Sequence, residues 1–201
     1  MYQPLASFDA LQLLEAPAAT PVALAEVKAQ LRVEHPDDDL VINRLINTAV
    51  AYTDGKGVLG HAMIQQTWGQ WVHSVPPQSV RLSMGPVISV SAVKYYDEDG
   101  VLQTDTLSNY EITGTPFTTQ IGPKDGFNWP VTQERSDAIR IEFTAGYGTT
   151  AADVPETLRH AMMLLVGHWY DHRENTMLDK LANIPYGFDM LLDMHRRSWY
   201  G

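Results

Sequence analysis

Residues 153–174, DVPETLRHAMMLLVGHWYDHRE, decide the fold, because they carry the clearest helical pattern in the chain. Asp153 is a candidate N-cap, and Pro155 falls in the first turn, where a missing N–H costs nothing. Large apolar side chains then recur at helical spacing on one face, and the pattern fades near Glu174. That face consists of Leu158, Ala161, Met162, Leu165 and Trp169. The stretch therefore predicts a long amphipathic helix that packs into a bundle.

Upstream of this helix, residues 62–148 change to a β-type pattern. Alternating or β-rich stretches occur at 67–72, 80–83, 87–96, 109–113 and 138–144. Turn signals such as Pro76-Pro77, Gly85-Pro86 and the run from Asp97 to Gly100 separate them. Several short strands between such turns predict a compact antiparallel sheet or small sandwich.

Before the β-rich stretch, residues 20–61 predict two further helices. The first begins with Thr20 as the N-cap and Pro21 at the first helical position. Pro36 interrupts the pattern, and the three aspartates at 37–39 open the second helix, where the helix dipole favours negative charge. Its apolar face consists of Ile42, Leu45, Ile46, Ala49 and Val50. Residues 20–61 and 149–175 are therefore predicted to form a helical bundle interrupted by the β insert at 62–148.

The two ends of the chain lie outside this bundle. Residues 1–19 are interpreted as an N-terminal arm with a short apolar patch at Leu11, Leu13 and Leu14. Residues 176–201 hold large apolar groups in a segment too short for its own core. The segment either folds back onto the helices or serves as a docking peptide that fills a partner's groove. The docking hypothesis is adopted, with Ile184, Pro185, Phe188, Leu191, Leu192, Arg196, Trp199 and Tyr200 as anchors.

The predicted fold class is therefore α+β: a helical bundle with a β-rich antiparallel insert and an extended C-terminal docking tail. Hydrophobic residues make up 44% of the chain, an ordinary globular share that argues against general disorder. No apolar run reaches the length of a membrane span, and the N-terminus is not expected to be a secretory signal. The chain has no cysteine, which excludes disulfides and zinc–thiolate sites and fits a reducing compartment.

The net charge of −10 argues against tight binding to nucleic acid. Gripping a phosphate backbone requires clustered lysines and arginines, whereas the 14 basic residues here are scattered. Sequence-specific DNA binding is not expected.

The sequence contains no motif that predicts catalysis. His168 and His172 have the spacing of two metal ligands on one helix, but the helix lacks the Glu of a His-Glu-x-x-His motif and no third ligand follows. Packing or hydrogen bonding explains His172 equally well. No nucleophile elbow, Walker loop or dinucleotide fingerprint is present. The chain is therefore predicted not to be an enzyme and to bind no metal or cofactor, with a metal-dependent hydrolase using these two histidines as the alternative.

Eight stretches carry a likeness to a known family. They are 21–33 (PVALAEVKAQLRV), 38–46 (DDLVINRLI), 65–68 (QQTW), 86–95 (PVISVSAVKY), 143–148 (FTAGYG), 154–158 (VPETL), 164–170 (LLVGHWY) with Arg173-Glu174, and 184–192 (IPYGFDMLL) with Arg196. In their order and spacing, over about residues 20–197, they resemble the head-to-tail connector (adaptor, or head-completion) family of tailed phages. One departure is Ala23, where the family often has a Thr that completes a capping box with Glu26.

The resemblance implies a structural virion protein rather than an enzyme. It implies a ring of twelve copies at the head–tail interface, assembled in the host cytoplasm, that binds the portal and continues the DNA channel. The C-terminal segment would contact the portal, and the opposite face would bind the next neck or tail-completion protein. The alternative within this class is a stopper-type neck subunit one layer below.

The acidic balance suits such a channel, since carboxylates on its wall would repel duplex phosphates and let DNA pass. The candidate channel residues are Asp37, Asp38, Asp39, Asp97, Glu98 and Asp99. Double-stranded DNA is expected to pass without sequence-specific contact, and no membrane partner is expected.

Overall fold

The computed structural model describes residues 11–73, 76–172 and 186–195. Within these ranges the chain forms four α-helices and eight β-strands, which confirms the mixed α+β class predicted from the sequence. The fold divides into two units. The β unit comprises Met1–Pro17 and Gln65–Gly146, and the helical unit comprises Ala18–Ile64 and Tyr147–Gly201.

The helical unit is built from amphipathic helices that share one apolar core. The helices are α1 (Leu24–Leu31), α2 (Asp39–Thr53), α3 (Glu156–Asp171) and α4 (Tyr186–Asp193). The central helix α3 buries its whole predicted stripe apart from Trp169, which is half-buried and packs against the core. Each fully buried large apolar side chain contributes about 1.5–3 kcal/mol of transfer free energy, so this shared core is the main source of the unit's stability.

Helix α1 begins three residues later than the sequence predicts. Its N-cap is Ala23, whose side chain has no hydrogen-bond acceptor, and the Glu26 side chain accepts a hydrogen bond from the Ala23 N–H at 2.9 Å. This is half of a capping box. The prediction of Thr20 as the N-cap is wrong, because its hydroxyl donates to the carbonyl of Val22 at 2.9 Å. Glu26 fixes the helix start, since it reaches back only to the residue three positions before it.

Helix α3 also begins later than predicted. Residues Ala151–Asp153 form a 3₁₀ turn, in which the Asp153 carboxylate accepts hydrogen bonds of 2.9 Å from both the backbone N–H and the hydroxyl of Thr150. These hydrogen bonds lower the pKa of Asp153. The aspartate therefore caps the short turn rather than the long helix, and Pro155 occupies the N-cap position of α3.

The β unit contains two antiparallel sheets. In chain order the strands are β1 (Leu11–Glu15), β2 (Gln66–Val72), β3 (Val80–Arg81), β4 (Val87–Tyr96), β5 (Leu102–Asp105), β6 (Tyr110–Thr113), β7 (Gln120–Pro123) and β8 (Ile139–Ala145). The larger sheet has the order β1-β2-β8-β4-β5, and the smaller has the order β3-β7-β6. The central strand β8 buries alternate residues, namely Ile139, Ile141, Phe143 and Ala145, as a period of two requires.

A buried glutamine links β2 of the larger sheet to the segment that begins with β3 of the smaller one. The Gln70 side chain donates to the carbonyl of Arg81 at 2.9 Å and accepts from the N–H of Ser83 at 2.8 Å. Both polar ends of the amide are thus satisfied in the interior, as a buried polar group requires.

Residues 11–15, which the sequence placed in an N-terminal arm, form strand β1 at the edge of the larger sheet. This strand runs antiparallel to β2, with Leu11 opposite Gln70 and Gln12 opposite Gly69. Leu11 is buried, whereas Leu13 and Leu14 remain exposed. The apolar patch seen in the sequence is therefore split between the sheet interior and its surface.

Part of the segment predicted as an extended tail is helical. Within residues 176–201, the stretch Tyr186–Asp193 forms α4. Phe188 and Leu192 are four positions apart, lie on one face of this helix and are buried in the helical core. Burial of both side chains explains why this segment is helical rather than extended.

The helical unit is continuous in space although the β unit interrupts it in sequence. Where the chain leaves and re-enters the helical unit, Ile64 bridges Gly148, and the Tyr147 N–H donates to the carbonyl of Met63 at 3.0 Å. The two ends of the insertion therefore lie side by side.

Candidate interaction surfaces

Helix α4 has an apolar inner face and an exposed methionine on its outer side. Its inner face places Phe188 and Leu192 in the helical core, and the Phe188 ring lies 6.1 Å from the ring of Tyr52 on α2. Its outer side carries Met190, and Met194 follows directly after the helix, with exposures of 68% and 66%. Methionine is a flexible, polarisable side chain that suits adaptable contacts with partners. The outer face of α4 is therefore a candidate docking surface.

The end of α4 is held by a hydrogen bond to α3. The Nε2 atom of His195 lies 2.6 Å from the hydroxyl of Thr157, and the His195 N–H donates to the carbonyl of Leu192. Burial lowers the pKa of His195, which favours the neutral imidazole.

The structure separates the predicted docking residues into three groups. Phe188 and Leu192 belong to the core, and Leu191 is partly buried against it. The remaining anchors, Ile184, Pro185, Arg196, Trp199 and Tyr200, lie outside the described residues. For α4 the structure thus shows the arrangement that the sequence left open as the alternative, in which the segment folds back onto the helices.

The first acidic cluster, at 37–39, mostly makes contacts within the helical unit. The Tyr170 hydroxyl donates to the Asp38 carboxylate at 2.5 Å, and the Lys28 ammonium lies 2.5 Å from the Asp39 carboxylate. Asp37 is exposed, with its carboxylate 3.7 Å from a ring nitrogen of His35. Two of these three aspartates therefore join α3 and α1 to the start of α2, and Asp37 is the one most open to solvent.

The second acidic cluster, at 97–99, forms the turn between β4 and β5. The Asp97 carboxylate accepts hydrogen bonds from the Gln103 side chain at 2.7 Å and from the Val101 N–H at 2.8 Å. These bonds lower the pKa of Asp97, the Gln103 bond most of all. Glu98 and Asp99 are exposed at the tip of the turn. Asp97 therefore stabilises the turn, and Glu98 and Asp99 expose their carboxylates to solvent.

The two histidines on α3 are arranged as a local pair. Their ring centroids are 4.5 Å apart, and Nδ1 of His172 lies 2.8 Å from the carbonyl of His168. This contact is the hydrogen-bonding role that the sequence left open for His172. Across the described ranges, no three His, Cys, Asp or Glu side chains are grouped so that they could hold a metal ion.

A third surface, around Trp129 in the β unit, was overlooked in the sequence, where residues 126–130 served only as a turn signal. The Trp129 indole donates to the carbonyl of Pro77 at 2.9 Å, and its ring centroid lies 5.2 Å from that of Tyr110. On either side, Phe127 and Val131 are 51% and 72% exposed. The density of aromatic and proline residues from 127 to 130 is the signal that could have identified this surface.

None of the described helices is both long enough and apolar enough to cross a bilayer.

No protein-family model and no curated protein match this chain. Solved structures do match. A chain in the neck of an empty gene transfer agent particle, with C6 symmetry, has a TM-score of 0.75 at 22% identity, covering 95% of this chain and 98% of that one. A chain in the virion of a native gene transfer agent particle has a TM-score of 0.74, with the same identity and coverage.

A chain in the neck of the native particle, with C12 symmetry, has a TM-score of 0.67 at 21% identity, covering 94% of this chain and 98% of that one. The likeness thus extends over nearly the whole length of both partners in each comparison. The chain has the fold of proteins found in the necks of gene transfer agent particles.

Proposed function

We propose that this chain is a structural subunit of the neck of a phage-like particle, where it forms a ring that joins the portal to the tail. The observation that carries the proposal is the shared fold over 95% of this chain and 98% of a neck chain from a gene transfer agent particle. A likeness that leaves almost no part of either chain unmatched argues for the same architectural role. The resemblance to the phage connector family over about residues 20–197 supports the same role independently.

The proposed ring contains twelve copies. The matched necks were computed with C6 and C12 symmetry, and a closed ring requires one surface of each copy to bind a different surface of the next. Each copy contributes a net charge of −10, so a ring of this protein is strongly acidic. Such a ring repels duplex DNA rather than binding it, which suits a channel through which a genome passes.

The exposed acidic residues are the best candidates for the channel wall. Asp38, Asp39 and Asp97 are engaged in contacts within their own units, whereas Asp37, Glu98 and Asp99 present exposed carboxylates. We assign the channel charge to these three.

The C-terminal segment is proposed to contact the portal through residues that the core leaves free. Met190 and Met194 face outward, and the chain continues from there to Arg196, Trp199 and Tyr200, which are residue types common in binding hot spots. Deleting 184–201 is a poor test of docking, because it also removes Phe188 from the core. Deletion of 196–201 or the substitutions Met190→Glu and Met194→Glu are the sharper variants.

The docking test is co-sedimentation of the purified variants with portal rings. Loss of binding by either variant, with an unchanged circular dichroism spectrum, is expected. Leu40→Glu, which adds at an exposed leucine on α2 the same charge as each single methionine substitution, serves as the control and is expected to bind normally. Binding of both docking variants at the wild-type level contradicts this assignment.

The ring itself is tested by electron microscopy of assembled necks that contain this protein and the portal. The expected image is a ring of twelve subunits in direct contact with the portal. A ring that contacts only a further neck protein identifies a stopper-type subunit instead. Particles that lack the polypeptide yet deliver DNA normally contradict the neck role altogether.

The proposed role requires no catalysis, and the rival hydrolase is tested directly. Elemental analysis of the purified protein and of His172→Ala measures bound metal. A stoichiometric metal in the wild type that is lost in the variant supports the hydrolase over the purely structural role.

A further inference from the structure

The indole of Trp129 is held in place by contacts with neighbouring segments of the β unit. Its N–H donates to the Pro77 carbonyl at 2.9 Å, and its ring centroid lies 5.2 Å from that of Tyr110. The Tyr110 hydroxyl in turn donates to the Asp105 carboxylate at 2.5 Å. Because the indole N–H is the only donor of the ring and is already used, Trp129 offers a ligand its aromatic surface.

A cleft of about 520 Å³ opens beside this indole, within the range of about 300–1,000 Å³ that is typical of ligand sites. Pro76, Pro130 and Val131 supply apolar walls. Glu134 also lines the cleft, and among the described lining residues it alone has a charged side chain. Glu134 is exposed, and no ion pair to its carboxylate occurs within residues 11–73, 76–172 and 186–195. The cleft therefore combines one aromatic ring, aliphatic walls and one carboxylate.

Elsewhere in the β unit, an arginine satisfies the same combination of ring and carboxylate. The guanidinium carbon of Arg135 lies 3.8 Å from the centre of the Tyr96 ring. The Nε and Nη2 atoms of this guanidinium donate to the Asp137 carboxylate at 2.6 and 2.7 Å. A planar guanidinium stacks on a ring and pairs with a carboxylate at the same time, whereas the ammonium of lysine is a compact point charge.

A second arginine of the β unit is bound in the same way. The guanidinium carbon of Arg140 lies 5.1 Å from the centre of the Trp71 ring, and its Nη2 atom lies 2.6 Å from the Glu142 carboxylate. The arrangement of ring, arginine and carboxylate thus occurs twice within the β unit. In the cleft, Trp129 and Glu134 supply the ring and the carboxylate, and none of the described lining residues is an arginine.

We propose that this cleft binds an arginine side chain of a partner protein. The guanidinium lies over the Trp129 indole and pairs with the Glu134 carboxylate, and the aliphatic stem of the arginine packs on Pro130 and Val131. Charge complementarity favours a cationic occupant, because the charged group of the cleft is a carboxylate on a chain whose net charge is −10. This inference does not depend on the proposed neck function, since it concerns the chemistry of one site in the β unit.

The test is a titration of the full-length chain with short peptides, followed by nuclear magnetic resonance of the indole N–H groups. The chain has five tryptophans, and the resonance that is lost in Trp129→Phe identifies Trp129. The probe is the blocked tripeptide glycine–arginine–glycine. Its matched control carries citrulline, which has nearly the shape of arginine without the charge. The arginine peptide is expected to shift the Trp129 resonance saturably and at least fivefold more than the citrulline peptide at equal concentration.

Two further comparisons separate the assigned site from general attraction to an acidic protein. Glu134→Gln is expected to reduce the shift caused by the arginine peptide at least fivefold. Glu111→Gln, also exposed but on β6 and outside the cleft, is the matched control and is expected to respond as the wild type. A lysine peptide is expected to cause a shift at least threefold smaller than the arginine peptide.

Four outcomes contradict the proposal. They are the absence of a saturable shift at Trp129, equal shifts by the arginine and citrulline peptides, an equal response to the lysine peptide, and a wild-type response of Glu134→Gln.

Discussion

The Nε2 atom of His195 lies 2.6 Å from the hydroxyl oxygen of Thr157, so that the end of α4 is joined to the first turn of α3. The contact is made in a partly buried place, where burial lowers the pKa of His195. Protonation of this histidine therefore opposes the attachment of α4.

The attachment of α4 is expected to weaken in mild acid. Because the folded-state pKa lies below the ordinary value of 6.5, the unfolded chain takes up its proton first as the pH falls. The contribution of neutral His195 to stability is complete above pH 6.5 and declines below it. Urea unfolding at pH 7.5 and pH 5.5 should show a larger stability difference in the wild type than in His195→Gln. Met194→Gln, an exposed change beside it, should behave as the wild type.

Phe188→Ala is expected to lower the free energy of unfolding by about 3–5 kcal/mol, because it leaves a cavity in the helical core. Met190→Ala, two positions away on the exposed face, should change it by less than about 0.5 kcal/mol. Chemical denaturation followed by far-ultraviolet circular dichroism measures both. Equal effects of the two substitutions would show that α4 is not packed through Phe188.

Ala23→Ser is expected to raise the free energy of unfolding by about 1 kcal/mol. The serine hydroxyl supplies the acceptor that Ala23 lacks and completes the capping box with Glu26. Ala29→Ser, an exposed substitution inside α1, serves as the control and should be slightly destabilising, since serine is a poorer helix former than alanine. Denaturant unfolding of the two variants checks the sign of each change.

Gln70→Ala is expected to cost about 1–3 kcal/mol of stability. It removes the buried side chain to which the part-buried Arg81 carbonyl and Ser83 N–H are hydrogen-bonded. Gln12→Ala, on the exposed edge strand, should have little effect. Hydrogen exchange at the Ser83 amide gives a local readout, and an unchanged exchange rate would argue against the predicted role of Gln70.

Reversing charge at the β4–β5 turn should make an assembled ring retain DNA. Glu98→Lys with Asp99→Lys replaces two exposed carboxylates with cations, which adds phosphate contacts whose strength falls with salt. Gel-shift titration at 50 and 200 mM salt measures the retention. Glu111→Lys with Glu134→Lys makes the same change of charge at exposed positions elsewhere in the β unit. Equal retention by both double variants would remove Glu98 and Asp99 from the channel wall.

The sequence predicted the large elements well because their signals are local and repeated. The helical period recurs several times between Leu158 and Leu165, and the period of two recurs along β8. Helix starts were less accurate, since they depend on a single contact. The Glu26 side chain accepts a hydrogen bond from Ala23, and Asp153 caps a 3₁₀ turn. A hydrophobic pattern predicts neither contact, because both are made by polar groups.

The candidate sites were harder to predict, because the partner of a side chain is set by the fold. Phe188 reads as a docking anchor in the sequence, and only the packing of α4 shows that it belongs to the core. The sequence suggests that Asp38 is an exposed charge, whereas in the fold it accepts a hydrogen bond from Tyr170, 132 residues away. The Trp129 surface was missed for the same reason, since its support comes from Pro77 and Tyr110.

The pairing of Ile64 with Gly148 has a consequence for the evolution of this protein. The chain leaves and re-enters the helical unit at adjacent backbone positions. The packing of the helices therefore does not depend on the length of the region inserted between them. Lengthening a closed loop costs little entropy, so the intervening region can gain, lose or swap hairpins without disturbing the bundle. The helical unit can thus remain constant while the β unit diversifies to meet new neighbours.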